Sequence, residues 1–412
     1  MQDPTVCVAG GGPAGVMLGL LLARAGIRVT VLEKHADFLR DFRGDTVHPS
    51  TLEVLDELCL ADQLDRIPHQ QVVRAGFESA GRRVDILDLR HLRVRHPYIA
   101  LVPQWDFLEL LAAAASACPE FELRREAEAY DLVVEHGRVV GVRVRDRSGD
   151  HGADYTLRAA LTVAADGRHS TLRRAAGLKS RTFGAPMDVV WFRLPWAEGD
   201  SAAQALTFRF GPGRAVVTIP RRTYWQIAYL IRKDGFDDLH AQGIEALRRG
   251  VAGTAPFLAD RVGELTSFDD TSVLEVRMDR LRRWYRPGML AIGDAAHAMS
   301  PVAGVGINLA VQDAVAAANL LVPSLRESQR SGAPVPDRAL AAVQRRRQVP
   351  TAVTQAFQRA VQTLGLNRAL RADPNASMSA PVPGWLAPVL RRPMSRFVGL
   401  GVRPEHVRTW PD

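Results

Sequence analysis

The segment that most constrains the fold begins at Val6 and reads VCVAGGGPAGVMLGLLLARAGIRVTVLEK. Its first four residues are apolar and β-prone, and residues 14–25 carry apolar side chains at helical spacing, which predicts a strand, a turn and a helix. Gly10, Gly12 and Gly15 match G-x-G-x-x-G, in which absent side chains allow a tight turn, close approach of a pyrophosphate and helix-strand packing. The sequence therefore predicts a Rossmann-like unit that binds a dinucleotide.

An acidic residue ends the next predicted strand, residues 27–32. Glu33 lies about 20 residues beyond the glycine turn, the distance at which an acid accepts hydrogen bonds from ribose hydroxyls in such folds, and Lys34 beside it is a further candidate contact. The alternative is a glycine-rich structural turn. Neither the glycines nor Glu33 distinguish FAD from NAD.

Two distant segments repeat the order strand, turn, helix. In residues 161–178, Asp166-Gly167 follows an apolar strand, and Ser170 is the predicted N-cap of the next helix. In residues 288–321, a buried strand leads to Gly293-Asp294, and then Pro301 and Gly304-x-Gly306 open a long amphipathic helix. An aspartate at a strand end can bind a hydroxyl, and a helix N-terminus favours negative charge.

Taken together, the three segments resemble the fingerprints of the single-component FAD-dependent aromatic hydroxylases, the para-hydroxybenzoate hydroxylase superfamily. The resemblance implies an α/β fold: a Rossmann-like FAD-binding domain of the glutathione reductase type, an inserted β-sheet substrate domain and a C-terminal helical segment. It implies that Glu33 binds the adenosine ribose and Asp294 the ribityl chain of FAD. Asp166-Gly167 would lie near the pyrophosphate and a transient NAD(P)H site.

The resemblance also assigns cofactor contacts outside these segments. Arg43 maps to an arginine-containing loop beside the flavin, although it could instead cap a helix from Thr51. Gln104, where a strand runs into a helix, maps to a residue that touches the FAD chain. The predicted cofactor-binding residues are Gly10, Gly12, Pro13, Ala14, Gly15, Glu33, Lys34, Arg43, Gln104, Asp166, Gly167, Gly293, Asp294, Pro301, Gly304, Val305, Gly306, Ile307 and Asn308.

The expected domains are interleaved along the chain. The FAD-binding domain takes residues 1–73, 99–178 and 277–325, the substrate domain takes 74–98 and 179–276, and residues 326–412 form a C-terminal helical region and tail. A helix is predicted over 337–366, with Pro350 kinking or breaking it and the arginines of RRRQ on a solvated face. The tail could touch a membrane, but packing against the FAD domain or a second subunit is favoured.

Period-two patterns in the substrate domain suggest the substrate pocket. Phe208 and Phe210 share one strand face, and Trp225, Ile227 and Tyr229 share another. Each face could line the pocket or pack on the core of its own sheet. The predicted pocket residues are Phe208, Phe210, Tyr224, Gln226 and Pro301.

Composition limits the partners. The 412 residues carry a net charge of +8, but the arginines are spread along the chain rather than gathered on one element, which argues against nucleic-acid binding. No apolar run reaches the roughly 20 residues of a membrane span, and the first residues do not resemble a leader, so we expect a cytoplasmic protein. Cys7, Cys59 and Cys118 lack metal or disulfide spacing and are expected to be reduced core residues. A monomer or homodimer acting on a small hydrophobic molecule is expected, with no metal.

The resemblance implies an FAD-dependent monooxygenase that uses NADH or NADPH and O₂ to hydroxylate or epoxidise an aromatic or polyketide-like molecule through a flavin hydroperoxide. No second G-x-G-x-x-G is present, so NAD(P)H is expected to bind transiently. Two alternatives are an FAD oxidoreductase acting on a lipid or isoprenoid without oxygen insertion, and a non-catalytic flavin-binding relative. No catalytic base is assigned; His48, His297 and Tyr224 are candidates by residue type alone.

Overall fold

The computed structural model describes residues 3–39, 45–79, 82–148, 153–200, 206–211, 213–371 and 385–408. Within these ranges the β-strands, numbered in chain order, are β1 (Val6–Ala9), β2 (Val29–Leu32), β3 (Thr46–Val47), β4 (Gln70–Val72), β5 (Arg74–Ser79), β6 (Arg82–Asp88), β7 (Ile99–Leu101), β8 (Phe121–Arg124), β9 (Ala127–Glu135), β10 (Arg138–Asp146), β11 (Asp154–Arg158), β12 (Leu161–Ala164), β13 (Ser180–Thr182), β14 (Met187–Pro195), β15 (Leu206–Gly211), β16 (Arg214–Pro220), β17 (Tyr224–Arg232), β18 (Ser272–Leu274), β19 (Asp279–Leu281), β20 (Tyr285–Arg286) and β21 (Met289–Ala291).

The α-helices of the same ranges are α1 (Pro13–Arg24), α2 (Pro49–Glu57), α3 (Ala61–Arg66), α4 (Gln104–Ser116), α5 (Thr171–Ala175), α6 (Phe236–Ala241), α7 (Ile244–Thr254), α8 (Gly306–Ser331), α9 (Asp337–Val361), α10 (Asn367–Arg371) and α11 (Ala387–Leu400). A π-helical turn, Gln362–Leu366, joins α9 to α10.

A six-stranded sheet in the order β20-β21-β12-β1-β2-β8 carries the glycine-rich segment. Its strands are parallel except for β20 at the edge. All residues of β1, β2 and β12 are buried, because helices such as α1, α4 and α8 cover a parallel sheet of this kind. The predicted α/β fold, with a Rossmann-like parallel sheet in the FAD-binding domain, is confirmed.

A second sheet has seven strands in the order β18-β14-β17-β16-β15-β5-β6. It is antiparallel except for the pair β15–β5. Two distant parts of the chain therefore build this sheet, β5 and β6 from one and β14 to β18 from the other. The exact domain boundaries stay a prediction, and α8 continues past the predicted boundary at 325 to Ser331.

Three smaller sheets were not predicted from the sequence. Strands β9 to β11 form an antiparallel sheet, and β4, β7 and β3 form another. The two-stranded ribbon β13–β19 connects the two main sheets. Strand β13 follows the six-stranded sheet and precedes the seven-stranded one, and β19 lies where the chain returns to the six-stranded sheet.

The C-terminal helices correct two expectations. The helix α9 is not broken at Pro350, which is buried within it, while a kink there stays a prediction. Tertiary packing on the buried proline outweighs its missing N–H. The stretch Val302–Ser331, which contains α8, is long and apolar enough to cross a membrane, but 83% of its apolar window is buried inside the protein, as in the core helix of a soluble protein.

The cysteines also differ from expectation. Cys7 is buried in β1, and burial raises the pKa of its thiol to about 12. Cys118 is half-buried and Cys59 is exposed, so the prediction of three core cysteines is wrong. Cys59 has a positive φ of 56° at the end of α2, a turn position that places its side chain in solvent.

Candidate active site

The three predicted fingerprints meet at one edge of the six-stranded sheet. Ala9 pairs in register with Ala164, and Ala164 pairs with Ala291. The strands β1, β12 and β21 are adjacent and parallel, so their carboxyl ends coincide. The turns that begin at Gly10, Ala165 and Ile292 therefore lie side by side, at the edge where open α/β sheets bind ligands.

Two glycines of the first turn are required by packing. Gly10 has a φ of +111°, and a Cβ there would lie 2.3 Å from the carbonyl oxygen of Ala165. A Cβ at Gly15 would lie 1.9 Å from the Gly10 oxygen. Gly12 differs, because a Cβ there would meet nothing within 4 Å. Gly12 therefore faces open space at the start of α1, where Pro13 and Ala14 follow it.

Glu33 is held against this turn. Its Oε2 accepts a hydrogen bond of 3.0 Å from the Gly11 N–H, and its Oε1 accepts one of 3.1 Å from His35 N–H. The carboxylate is buried and oriented toward the glycine turn. Lys34 is exposed, and Arg43 lies outside the described residues.

The second fingerprint forms a capped turn. Leu172 N–H donates to Asp166 Oδ2 at 3.2 Å, and burial raises the pKa of this carboxyl. Ser170 Oγ accepts from Arg173 N–H at 3.0 Å, which confirms the predicted N-cap. Gly167 has a φ of +80°, a conformation that favours glycine.

Asp294 follows β21 and is partly exposed. About a third of its side chain, 32%, remains exposed although protein surrounds it, and Arg168 Nη2 lies 3.8 Å from its Oδ2. The surrounding protein raises the pKa of Asp294, and Arg168 opposes that effect. Gly293 packs on the first fingerprint, since a Cβ there would lie 3.0 Å from the Ala14 Cβ.

The segment 301–308 is locked to the residues after β2. A Cβ at Gly304, which has a φ of +62°, would lie 2.5 Å from Thr46 Oγ1, and this hydroxyl donates to the Gly304 oxygen at 2.7 Å. Asn308 Oδ1 accepts from His48 N–H and from Thr51 Oγ1. Ala303 is strained, with a φ of +66°. Half-buried Pro301 and buried Val305 precede Gly306, and Ile307 is buried behind it.

A buried charge network stands behind the third fingerprint. Asp313 Oδ2 lies 2.6 Å from His297 Nε2 and accepts from Gly293 N–H at 3.1 Å. Arg347 Nε donates to Asp313 Oδ1 at 3.0 Å, and Arg347 also pairs with Glu405 at 3.3 Å. Only 1% of the Arg347 side chain is exposed, so the prediction of a solvated arginine run is wrong at this position.

Sequence reasoning missed this network because its members are far apart in the chain. A usable signal existed, since Asp313 is the one charged residue between Pro301 and Arg326. A lone acid on such an apolar helix needs a buried partner. The bond to Asp313 gives His297 a structural role.

His48 is not a solvent-accessible base. It is fully buried, and its Nδ1 lies 2.8 Å from the Val398 oxygen of α11, so this nitrogen is the donor. Burial lowers the pKa of His48 to about 4, although the bond to Val398 acts in the opposite direction. His48 is therefore neutral at physiological pH and joins the FAD-binding domain to α11.

This lowered pKa predicts a loss of stability on acidification. The unfolded chain, with an ordinary histidine pKa near 6.5, binds this proton more readily than the folded one, so the contribution of His48 to stability falls as the pH drops from 6.5 toward about 4. We expect this loss to reach about 2 kcal/mol at pH 5. Urea unfolding at pH 7 and pH 5 should show a smaller pH-dependent loss in His48→Asn, which can still donate to Val398.

The matched control is His136→Asn. His136 is exposed and has a φ of +49°, which asparagine tolerates. The pH dependence of the unfolding free energy of His136→Asn should equal that of the unmodified chain. An equal loss in all three proteins would remove His48 as the cause.

The seven-stranded sheet presents one face toward the fingerprints and one away. Phe208 and Phe210 are half-buried against a cluster that includes Val302. Trp225, Ile227 and Tyr229 pack instead against α7 on the opposite face, so of the two alternatives for this face, packing on the core of its own sheet is the one observed. Their period-two pattern was correct, but it cannot tell which face meets the other domain.

A second buried network joins this sheet to the segment after Arg43. Arg221 pairs with Asp45, and its Nε donates to Gln226 Oε1 at 2.9 Å. Burial raises the pKa of Asp45, with Arg221 and the Gln104 N–H at the start of α4 acting in the opposite direction. Tyr224 lies at the same end of the sheet, with the Arg193 guanidinium 4.8 Å from its ring centroid.

The described residues fit an FAD molecule. The N-termini of α1 and α8 begin beside Gly12 and Gly306, and a Cβ at either glycine would meet open space. A helix N-terminus of this kind binds phosphate or other negative charge. Asp294 provides a partly exposed carboxylate just after β21.

Comparisons with known proteins agree with this geometry. A family model described as FAD binding domain matches residues 3–356. The 6-methylpretetramide 4-monooxygenase of Streptomyces rimosus is 35% identical over 351 residues, which are 84% of this chain and 80% of that protein. This chain belongs to the FAD-dependent monooxygenase family. The predicted resemblance to the para-hydroxybenzoate hydroxylase superfamily is confirmed.

Other monooxygenases of the family are longer. The rifampicin monooxygenase of Streptomyces venezuelae is 30% identical over 329 residues, and the match spans 75% of this chain but 62% of that protein. Solved structures share the fold. PqsL, a probable FAD-dependent monooxygenase from Pseudomonas aeruginosa, has a TM-score of 0.74 at 20% identity, over 90% of this chain and 98% of its own. The OxyS anhydrotetracycline hydroxylase from Streptomyces rimosus has a TM-score of 0.70 at 23% identity, over 97% and 76%.

Proposed function

We propose that this monooxygenase uses NADH or NADPH and O₂ to hydroxylate or epoxidise an aromatic, polyketide-like small molecule. The observation that carries the proposal is the similarity over 84% of this chain to a protein named for its action on 6-methylpretetramide. The apolar sheet face with Phe208 and Phe210, beside Val302, suits a hydrophobic ring system.

Bound FAD would accept electrons from NAD(P)H and activate O₂. The chain's residues would hold and shield it. The N–H groups at the start of α1, beside Gly12, would bind the pyrophosphate, and Glu33 and Asp294 would accept hydrogen bonds from hydroxyls. The start of α8 beside Gly306 would stabilise negative charge on the ring system.

The seven-stranded sheet would exclude water from the reacting atoms. Its apolar face covers the segment around Val302, and Arg221 fixes the position of Gln226 at the end of that face. Gln226 would thereby be oriented toward a polar substituent of the substrate. Excluding water matters because an activated oxygen species is otherwise lost to side reactions.

The proposal is tested by anaerobic reduction of the bound flavin. Fused-ring polyketides, including 6-methylpretetramide, and simple phenols are added as candidate substrates, with NADH and NADPH compared. We expect a fused-ring compound to accelerate reduction at least about tenfold. After addition of ¹⁸O₂, mass spectrometry should show one labelled oxygen atom in the product.

Other outcomes contradict the proposal in distinct ways. A dehydrogenated or reduced product without label would indicate an oxidoreductase that inserts no oxygen. A flavin that no compound or nicotinamide nucleotide reduces would indicate a non-catalytic flavin-binding protein. For its surroundings, we propose a cytoplasmic monomer or homodimer whose partner is a small molecule.

A further inference from the structure

Three arginines surround one aromatic ring outside the flavin cleft. The guanidinium carbons of Arg181, Arg280 and Arg359 lie 5.2, 5.4 and 5.4 Å from the ring centroid of Phe183. They come from β13, β19 and the end of α9. Within the described ranges, none of these guanidiniums has a carboxylate within 4 Å. We call Arg181, Arg280, Arg359 and Phe183 the arginine cluster.

The cluster is electrostatically unfavourable by itself. Arg181 stands directly opposite Arg280 in the antiparallel ribbon β13–β19, where like charges destabilise a strand pair. Burial and the Arg181 charge lower the pKa of Arg280. Attraction of the cations to the Phe183 ring offsets part of this repulsion. A bound anion would neutralise the rest.

Three arginines on the neighbouring elements are paired with carboxylates. One residue from Arg280, Asp279 pairs with Arg173 at 3.1 Å. On the same helix as Arg359, Arg346 pairs with Glu405 at 2.7 Å and Arg347 pairs with Asp313. Carboxylates thus pair with these three guanidiniums, whereas none pairs with the guanidiniums of the arginine cluster within the described residues.

The sequence around the cluster is free of acids. No Asp or Glu occurs in residues 167–187, 280–293 or 338–372, although these segments hold five, four and seven Arg or Lys residues. They meet at the cluster through the pairing of β13 with β19 and through Arg280 Nη1, which donates to Gln355 Oε1 of α9 at 3.3 Å. The positive potential is therefore concentrated here.

We propose that Arg181, Arg280 and Arg359 bind a dianionic phosphate group. Guanidinium groups present paired N–H donors that match phosphate oxygens, and several can share one phosphate. Phe183 holds the three cations together in the absence of the anion. Inorganic phosphate is the simplest probe of such a site.

The position of the cluster suggests two sources for the phosphate. Asp279 faces Arg173, in the helix that follows Asp166-Gly167, while Arg280 projects from the opposite face of the ribbon. The cluster thus lies one residue along β19 from the contact with this helix, on the other face of the ribbon from the expected NAD(P)H site. The phosphate could be the ribose 2′-phosphate of NADPH, which rests on the proposed function, or a phosphate monoester that binds independently.

The test uses the FAD-loaded protein and two double variants of equal charge. Arg181→Gln/Arg359→Gln removes the two exposed cations of the cluster, and Arg93→Gln/Arg249→Gln removes two exposed arginines elsewhere. Binding of inorganic phosphate is measured by ³¹P NMR titration at constant ionic strength. We expect the cluster variant to bind phosphate at least about tenfold more weakly than the control variant, which should match the unmodified protein.

Dissociation constants for NADPH and NADH separate the two sources. If NADPH weakens by the same factor while NADH does not, the 2′-phosphate occupies the cluster. If phosphate weakens and NADPH does not, the site takes a separate phosphate monoester. Equal phosphate binding by the two double variants overturns the proposal. Reduced phosphate binding in a protein that never oxidises NAD(P)H would retain the site while rejecting the proposed function.

Discussion

The substitution Gly12→Val is expected to give a folded protein that no longer retains FAD. Gly12 has φ and ψ values of −78° and −176°, an extended conformation that valine readily adopts. A Cβ there meets no protein atom within 4 Å, so the native packing is undisturbed. The branched side chain would occupy the space in which a pyrophosphate approaches α1. We expect FAD affinity to fall at least about 100-fold, or about 2.8 kcal/mol.

The measurement is flavin absorbance of the purified protein, followed by titration with FAD and circular dichroism to verify folding. Gly263→Val is the control, because Gly263 is exposed and has equal space around its Cβ. Gly15→Val should behave differently from both. Its Cβ would clash with the Gly10 oxygen and should reduce folding itself. Normal FAD content in folded Gly12→Val would disprove this account of the first turn.

The second large effect is expected at Arg347. Replacing Arg347 by Met leaves Asp313 and Glu405 buried without their shared cation, and removing one partner of a buried pair costs about 3–5 kcal/mol. Although burial alone raises the pKa of Asp313, His297 and Arg347 outweigh burial and hold it below its usual value. The stabilisation is therefore present at neutral pH and is lost as the pH falls below about 4.

Arg346→Met is the matched control. Arg346 is the adjacent residue and pairs with the same Glu405, but its side chain is 31% exposed. An ion pair that reaches solvent contributes about 1 kcal/mol or less. Urea unfolding of both variants at pH 7 gives the comparison. If the two variants lose similar amounts of unfolding free energy, then burial does not increase the contribution of the Arg347 ion pairs to stability.

The FAD cleft was predictable because each of its turns is encoded locally. Gly10 to Gly15 specify a turn and a helix start, and Gly293-Asp294 specifies a strand end, without reference to the rest of the chain. Parallel strands then bring such turns to one edge. Register, which places Ala9, Ala164 and Ala291 side by side, follows from the same apolar strand pattern.

The networks behind the cleft were not predictable in this way. Asp45 and Arg221 lie 176 positions apart, and Arg347 and Asp313 lie 34 apart on different helices. The identity of a charged residue does not show which residue it will pair with, and most arginines are exposed in folded proteins. The same limit applies to the strand that contains Trp225. Its alternation with Gln226 shows that the strand has two faces, but it does not show which face meets the other domain.

The strand order of the six-stranded sheet has a consequence for synthesis of the protein. On the ribosome, β1 emerges about 160 residues before its neighbour β12 and about 280 before β21. The carbonyl of Val398, which binds His48, emerges later still. The glycine turn of β1 and α1 is therefore synthesised long before the other segments of the FAD site. We expect FAD to load only after nearly the whole chain is released, so slow elongation would expose an apolar, cofactor-free strand pair to chaperones.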